Sequence, residues 1–169
     1  MDRSPSALPT DITLTVEPYD SAGASWVVAQ AEAELAVRYG DIGASENDLT
    51  AAMFDPPHGT FVVARRRGAA GPPLGGAGVR ALRPGVGQIR RVWVDPACRG
   101  QGIARALMAA VEDAARALGL TELRLGTGDR QPEAVAFYLS AGWERADVDQ
   151  DGRPIPPRHI WFGKYLGPS

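Results

Sequence analysis

Cysteine, histidine and long apolar runs are all scarce in this chain of 169 residues. Its one cysteine, Cys98, excludes an internal disulfide and is typical of a protein in a reducing cytoplasm, where we expect this one to be. Its two histidines, His58 and His159, have neither the spacing of a metal site nor that of a catalytic triad, so we expect no metal ion. Neither an apolar leader nor a run of about 18 apolar residues is found, so we predict no contact with a membrane.

Neither acidic nor basic side chains strongly predominate in this chain. Acidic side chains number 20 against 18 basic ones, which gives a formal net charge of −2 and no electrostatic reason to expect nucleic acid as a partner. Hydrophobic residues make up 44% and charged residues 22%, as in soluble globular proteins. The length favours one domain, which we predict at residues 11–166, after a small, polar, proline-bearing tail at 1–10 that we expect to be disordered.

Residues 88–104, QIRRVWVDPACRGQGIA, are the most informative stretch. Their first half is rich in residues that favour a partly buried strand, and we expect the strand to end near Asp95, because Pro96 cannot donate to a sheet ladder. From Ile103 to Leu118 apolar residues recur every three or four positions, which predicts an amphipathic helix closed by Gly119.

A glycine turn at residues 99–104, Arg-Gly-Gln-Gly-Ile-Ala, connects this strand to this helix. Its glycines allow a tight turn and the close approach of a ligand. The free N–H groups of the first helical turn, with the positive end of the helix dipole, make an anion site suited to a pyrophosphate, and the cationic Arg99 adds to the attraction. Taken alone, however, a Gly-x-Gly is equally compatible with an ordinary strand-to-helix loop.

The remaining patterns predict an α/β (α+β) fold with a mixed, mainly antiparallel central sheet flanked by about four helices. Three successive strands before Pro96 favour an antiparallel meander, and the strand, helix and strand that follow favour a parallel pairing with a right-handed crossover. Besides the central pair of elements, strands are predicted at 11–19, 60–66, 74–82, 122–127, 143–145 and 159–166, and helices between 21 and 40, at 47–54 and from 132.

Two motifs stand in order within residues 94–143. The first is a turn of the form Arg/Gln-x-x-Gly-x-Gly/Ala after Val-Asp-Pro, and the second has the form Asn-x-x-Ala-x-x-x-Tyr-x-x-x-Gly-Phe. The chain matches them at Arg99, Gly102 and Ala104 and at Ala134, Tyr138 and Gly142, with Gln131 and Trp143 in place of the usual asparagine and phenylalanine. In sequence and separation, the two motifs resemble those of the GNAT superfamily of acetyl-CoA-dependent N-acetyltransferases.

This resemblance implies a sheet splayed at a cleft for acetyl-CoA, which serves as cosubstrate. It implies transfer of an acetyl group to the amine of a small molecule or peptide by direct attack on the thioester, in a monomer or a homodimer. The backbone of the turn is then expected to bind the pyrophosphate, and that of the central strand to pair with the pantetheine. The cofactor-binding residues implied are Val92, Trp93, Val94, Arg99, Gly100, Gln101, Gly102, Ile103, Ala104 and Gln131.

The sequence does not identify the general base that would deprotonate the acceptor amine. A lysine-like amine has a pKa of about 10.4, so only about one molecule in a few thousand is uncharged at pH 7. Many relatives carry a glutamate near the start of the central strand, but Gln88 stands there in this chain, and an amide can position a water without taking its proton. Asp129, Glu133, Glu34 and Asp41 are weak alternative bases, because a solvated surface carboxylate is the favoured interpretation of each. An acceptor of low pKa would need no strong base.

The resemblance places Tyr138 beside the sulfur of CoA, as the acid that meets the departing thiolate. Because tyrosine has a reference pKa of about 10 and a thiol one of about 8.5, full proton transfer is uphill by about 2 kcal/mol unless the site lowers the tyrosine pKa. A hydrogen bond to the thiolate is therefore as plausible as full transfer. A core tyrosine without a chemical role is the alternative. A backbone N–H near Trp93 or Val94 is expected to hold the oxyanion.

Other functions stay open at this point. Gln88 in the place of a base is compatible with a non-catalytic acyl-CoA-binding sensor or regulatory module. An NTP-binding domain is disfavoured, because no Gly-Lys-Ser/Thr follows the glycines. Residues 147–152, DVDQDG, match the first half of a calcium loop, but Arg158 occupies the closing position and prolines interrupt the segment, so we predict a solvated turn.

Overall fold

Seven strands form one mixed sheet in the computed structural model, which describes residues 7–40 and 49–168. The strands are β1 (Ile12–Val16), β2 (Gly59–Arg66), β3 (Gly75–Arg83), β4 (Val86–Val94), β5 (Glu122–Gly128), β6 (Glu144–Ala146) and β7 (His159–Tyr165). The α-helices within this part of the chain are α1 (Ala22–Tyr39), α2 (Ile103–Ala117) and α3 (Pro132–Ser140). Across the sheet the strand order is β1-β2-β3-β4-β5-β7-β6.

Each helix begins where the sequence provides a start signal. At α1 the Ser21 side chain accepts a hydrogen bond of 3.1 Å from the Ala24 N–H. The α2 helix follows Gly102, and α3 has Pro132 in its first turn, where the missing N–H costs no hydrogen bond. The helices predicted at these places are therefore present. None of the helices in the described ranges is long and apolar enough to cross a membrane.

The pairing of the strands agrees with the predicted mixed sheet. Neighbouring strands run antiparallel except β4 and β5, which run parallel and are connected by α2. The meander of β2, β3 and β4 and the crossover through α2 are as the sequence indicated.

The prediction of a helix at residues 47–54 is wrong in the part of that segment that the structure describes. Within the described residues it is reduced to a single 3-10 turn, Ala51–Phe54, so three α-helices rather than about four accompany the sheet there, and Asn47 and Asp48 lie outside the described residues. Asp55 has φ −110° and ψ 143°, because the proline that follows it disfavours the helical region. The segment therefore ends before it can extend into an α-helix.

Two apolar cores lie on opposite faces of the sheet. The larger contains Ile103, Leu107 and Val111 of α2 together with Tyr138 of α3, and Leu8, from the stretch expected to be a tail, packs against it. The smaller core lies beneath α1, and its largest buried side chains are Phe54, Phe61 and Trp93. The sheet thus carries α2 and α3 on one face and α1 on the other.

Candidate active site

The strands β4 and β5 diverge near the middle of the sheet. Residues 86–88 of β4 pair with residues 122–124 of β5, and no further pairing joins these two strands in the described part of the chain. β4 continues to Val94 and β5 to Gly128, each bonded to its other neighbour, β3 or β7. A wedge-shaped cleft opens between the two strands, and its walls have no strand partner across the opening. Strand edges of this kind can pair with an extended ligand.

An irregularity in β4 lies inside the cleft. The register with β3 shifts by one residue between Arg90 and Trp93, and Arg91 has a φ of 58°, in the left-handed region. Such a bulge re-aims the residues that follow it. Gln88 and Trp93, five positions apart, consequently lie on the same face of the sheet, towards α1.

The glycine turn lies at the mouth of the cleft, after the end of β4. Gly100 and Gly102 have φ values of 82° and 83°, which a residue with a Cβ adopts only with strain. An added Cβ at Gly100 would meet no atom within 4 Å, so the turn faces open space. No side chain caps the N-terminus of α2, and its first turn has no acidic residue. The backbone donors present here fit an anion such as a diphosphate.

The Arg99 side chain is held by the protein itself. Its Nε donates to the Val94 carbonyl at 3.0 Å, and its Nη2 lies 3.0 and 2.7 Å from the two carboxylate oxygens of Glu34 on α1. Glu34 also accepts a hydrogen bond of 3.0 Å from Nε1 of Trp93. The residue predicted to attract a phosphate therefore already has a carboxylate partner.

The second wall of the cleft consists of β5 and α3. Gln131, predicted to bind the cofactor, is the N-cap of α3 and makes no side-chain capping bond. Arg38 of α1 forms an ion pair with Glu133 and donates to the Arg130 carbonyl at 2.9 Å, so α1 contacts both walls. Hydrogen bonding to Arg38 lowers the pKa of Glu133, which makes this carboxylate a weaker base.

Gln88 lies at the apex of the wedge. It is the last residue of β4 that pairs with β5, and only 2% of its surface is exposed. Its Oε1 accepts a hydrogen bond of 2.9 Å from Nε of Arg80. Because the oxygen is engaged in this way, the amide nitrogen is the group left to bind a water.

Tyr138 is buried on α3 within the larger core. Its ring centroid lies 5.7 Å from that of Phe162 and 6.3 Å from that of Trp143. Its hydroxyl forms no hydrogen bond with the rest of the described chain. Burial raises the pKa of Tyr138 well above its ordinary value, so the hydroxyl stays protonated at neutral pH. The packing role is thus evident, and the acid role stays a prediction.

Two aromatic residues that the sequence analysis did not assign to the site lie over β5. Trp161 of β7 covers Gly126, where an added Cβ would lie 2.7 Å from the indole ring, and the Tyr39 hydroxyl occupies the space above Gly128. The indole Nε1 of Trp161 is buried without a partner among the described residues. Glycine at alternate positions of a strand was the sequence signal for this close approach.

The carboxylates proposed as alternative bases are not equally placed. Glu34 contacts the cleft wall through Trp93, and Glu133 is engaged by Arg38. Asp129 is half-exposed and lies 3.9 Å from Nε of Arg158. Asp41 falls outside the described residues.

The acidic segment at residues 147–152 is organised by its own backbone. Oδ1 of Asp149 accepts hydrogen bonds of 2.9 Å from the N–H groups of Asp151 and Arg153, as in an Asx turn. No group of three or more histidine, cysteine, aspartate or glutamate side chains is placed to hold a metal ion in the residues that the structure describes. Cys98 is buried in the larger core.

Comparison with known proteins places these features in one family. Residues 24–143 match the Acetyltransferase (GNAT) family. The chain is 36% identical over 120 residues to an IAA acetyltransferase of Azospirillum brasilense, which covers 69% of this chain and 76% of that protein. The fold is similar to that of a GNAT acetyltransferase of Staphylococcus aureus Mu50 (TM-score 0.73, 15% identity, 92% of this chain and all of the other). It is also similar to that of a GNAT acetyltransferase of Elizabethkingia anophelis with acetyl-CoA bound (TM-score 0.65, 16% identity, 93% and 99%).

Proposed function

This chain belongs to the GNAT acetyltransferase family, and on that premise we propose that it transfers an acetyl group from acetyl-CoA to the amine of a small molecule or a peptide. The observation that carries the proposal is the wedge between β4 and β5, with the uncapped N-terminus of α2 at its mouth. A strand edge suits the amide groups of a pantetheine arm, and free backbone N–H groups suit a diphosphate.

Main chain supplies most of the proposed cofactor contacts. The backbone of residues 99–104 would hold the diphosphate, the inner edge of Val92, Trp93 and Val94 would pair with the pantetheine, and Gln131 would contact it from the opposite wall. The GNAT acetyltransferase of Elizabethkingia anophelis, which has acetyl-CoA bound, supports the choice of cosubstrate. Glycine is needed in the turn because a Cβ would separate these donors from the ligand.

When bound, acetyl-CoA supplies an acetyl group activated as a thioester. The acceptor nitrogen attacks the carbonyl carbon directly, a C–N bond forms, and the C–S bond breaks with its electron pair passing to sulfur. A backbone N–H near Trp93 or Val94 would stabilise the negative charge that develops on the carbonyl oxygen.

One proton transfer and one hydrogen bond accompany this exchange. Gln88 cannot take the amine proton at neutral pH, so its amide nitrogen would position a water through which that proton leaves to solvent. Tyr138 would donate a hydrogen bond to the departing thiolate. Since burial raises the pKa of Tyr138, a hydrogen bond is favoured over complete proton transfer.

The non-catalytic acyl-CoA sensor is not favoured, because the bacterial relative at 36% identity is itself an acetyltransferase. We further propose that residues 11–166 act as one domain in the cytoplasm, as a monomer or a homodimer. The balanced charge and the single cysteine support the location, and the continuous sheet supports a single domain.

A panel of amines tests the function, with release of free CoA thiol as the signal. The expected result is acetyl transfer to at least one amine and tight binding of acetyl-CoA by calorimetry. Gly102→Glu should abolish that binding, because it places bulk and negative charge against the proposed diphosphate site. Unchanged affinity in this variant would overturn the cofactor site, and binding without transfer to any amine would favour the sensor.

A further inference from the structure

Glu34 is the carboxylate most closely integrated with the cleft among those considered as bases. Its side chain is 29% exposed, and its two oxygens receive hydrogen bonds from Trp93 and from Arg99. Trp93 belongs to the end of β4, whose backbone is proposed to bind the thioester. A group bound to Glu34 would therefore lie near the reacting carbonyl.

Arg99 has a second anionic partner, the diphosphate, if the proposed function is correct. In this structure its Nη2 is bound to Glu34, while its turn provides the backbone donors proposed for the diphosphate. A diphosphate carries more charge than a carboxylate and is bound by the same turn, so it competes effectively for the guanidinium. Cofactor binding would then remove both of the close Arg99 contacts from Glu34.

The remaining partners of Glu34 leave its oxygens accessible. Trp93 stays as a neutral donor at 3.0 Å, and Arg38 lies farther away at 3.4 Å. Arg38 also forms an ion pair with Glu133 and donates to the carbonyl of Arg130, so Glu34 shares this cation with other acceptors. A partly buried carboxylate that has lost one of its two cationic partners favours binding another cation.

Space for such a cation is present beside Glu34. An open groove of about 420 Å³ lies between α1 and the segment after β4, and Glu34, Arg38, Trp93 and Pro96 are among the residues that line it. This groove lies on the α1 face of the sheet, opposite the face packed by α2 and α3. An acceptor in it would approach the cleft from the face opposite α2, whose N-terminus is proposed to hold the diphosphate.

We propose that Glu34 binds the ammonium group of a cationic acceptor, and that it becomes available when the cofactor diphosphate takes over Arg99. This inference rests on the proposed function and specifies the acceptor as an amine that is protonated at neutral pH. Glu34 is here a substrate-binding residue. The ammonium loses one proton to water before its nitrogen attacks, and that nitrogen loses a second proton to water once the C–N bond has formed.

The test compares Glu34→Gln with Asp113→Asn, a matched removal of charge from an exposed carboxylate on α2 that pairs with Arg116. For an alkylamine, Glu34→Gln should raise KM about tenfold with kcat little changed, and it should weaken alkylamine binding to the CoA-bound protein in calorimetry by a similar factor. An arylamine that is uncharged at neutral pH should show no such rise. Asp113→Asn should behave as the wild type with both amines.

The exchange of Arg99 from Glu34 to the diphosphate is tested separately, by measuring the affinity for acetyl-CoA. Glu34→Gln should bind acetyl-CoA about three- to tenfold more tightly, since the competitor for Arg99 is gone, and the gain should disappear in the Glu34→Gln/Arg99→Gln double variant. An unchanged alkylamine KM, or an equal rise for the arylamine, would overturn the ammonium site. Wild-type protein that acetylates neither these two amines nor any other amine of the panel would instead overturn the proposed function, whatever the affinity series shows.

Discussion

Replacing Tyr138 with phenylalanine separates packing from chemistry at the buried end of the proposed site. The hydroxyl forms no hydrogen bond with the described residues, while the ring packs against Phe162 and Trp143. Tyr138→Phe keeps the ring and should change the free energy of unfolding by no more than about 0.5 kcal/mol, because no intramolecular hydrogen bond is lost.

The expected loss in rate is much larger than the loss in stability. A hydrogen bond to a developing thiolate has a charged partner and contributes about 1.5 to 3 kcal/mol. Its removal should slow the chemical step by about 10- to 150-fold. The affinity for acetyl-CoA should remain close to that of the wild type, since the proposed cofactor contacts are made by backbone groups elsewhere.

Single-turnover measurement of thiol release is the appropriate assay, because product release can limit steady-state turnover. Tyr165→Phe, the same change at a tyrosine that is 71% exposed, is the matched control and should have no effect. Since burial raises the pKa of Tyr138, its hydroxyl stays protonated as pH rises, and the wild-type rate should show no loss of this acid below about pH 10. A Tyr138→Phe variant with the wild-type single-turnover rate would refute the acid role.

Two further predictions concern stability. Gly126→Ala places a Cβ 2.7 Å from the Trp161 ring and should lower the free energy of unfolding by about 1 to 3 kcal/mol, seen as an earlier thermal transition with altered tryptophan fluorescence. Glu17 accepts hydrogen bonds of 3.0 and 2.9 Å from Arg65, which lower its pKa, so this pair stabilises the fold above the ordinary pKa of a glutamate and stops doing so as pH falls through the lowered pKa. Glu17→Gln should therefore cost about 0.5 to 1 kcal/mol at pH 7, and the difference from wild type should shrink below about pH 4.

Each of these changes has its own comparison in the chain. Gly71→Ala adds a Cβ that meets no atom within 4 Å, and it should leave the thermal transition unchanged. If Gly126→Ala also left the thermal transition unchanged, the close packing of the Trp161 indole on β5 would be wrong. For the carboxylate, a Glu17→Gln cost that stayed constant from pH 7 to about pH 3 would show that packing, and not ionisation, carries the effect.

Local chemistry explains why the glycine turn could be predicted from the sequence. Proline cannot donate to a sheet ladder, so Pro96 marks the end of the strand before it. Glycine at positions 100 and 102 permits the left-handed φ values of 82° and 83° that the turn adopts. The apolar repeat from Ile103 likewise depends on neighbours within a few residues. Helix α2 and the glycine turn before it could therefore be predicted without knowledge of the fold.

The same local reasoning gave a wrong prediction at residues 47–54, and it did not predict the bulge at Arg91. In the described part of that segment the structure has a 3-10 turn, Ala51–Phe54, because so short a pattern does not determine whether a stable α-helix forms. The left-handed φ of Arg91 has no signal in its residue type, because the bulge follows from the register that β3 imposes on β4.

By itself, the sequence determined the class of the fold and the position of the glycine turn, since both depend on periodicity, proline and glycine over short distances. Tertiary structure alone decided which side chains share the cleft. Glu34 and Arg99 are 65 positions apart in the chain and meet only because α1 packs across the end of β4. Tyr39 and Trp161 likewise reach β5 from separate elements, over glycines that leave room for them. Contacts of this kind depend on how helices and strands are arranged in space, which spacing along the chain does not specify.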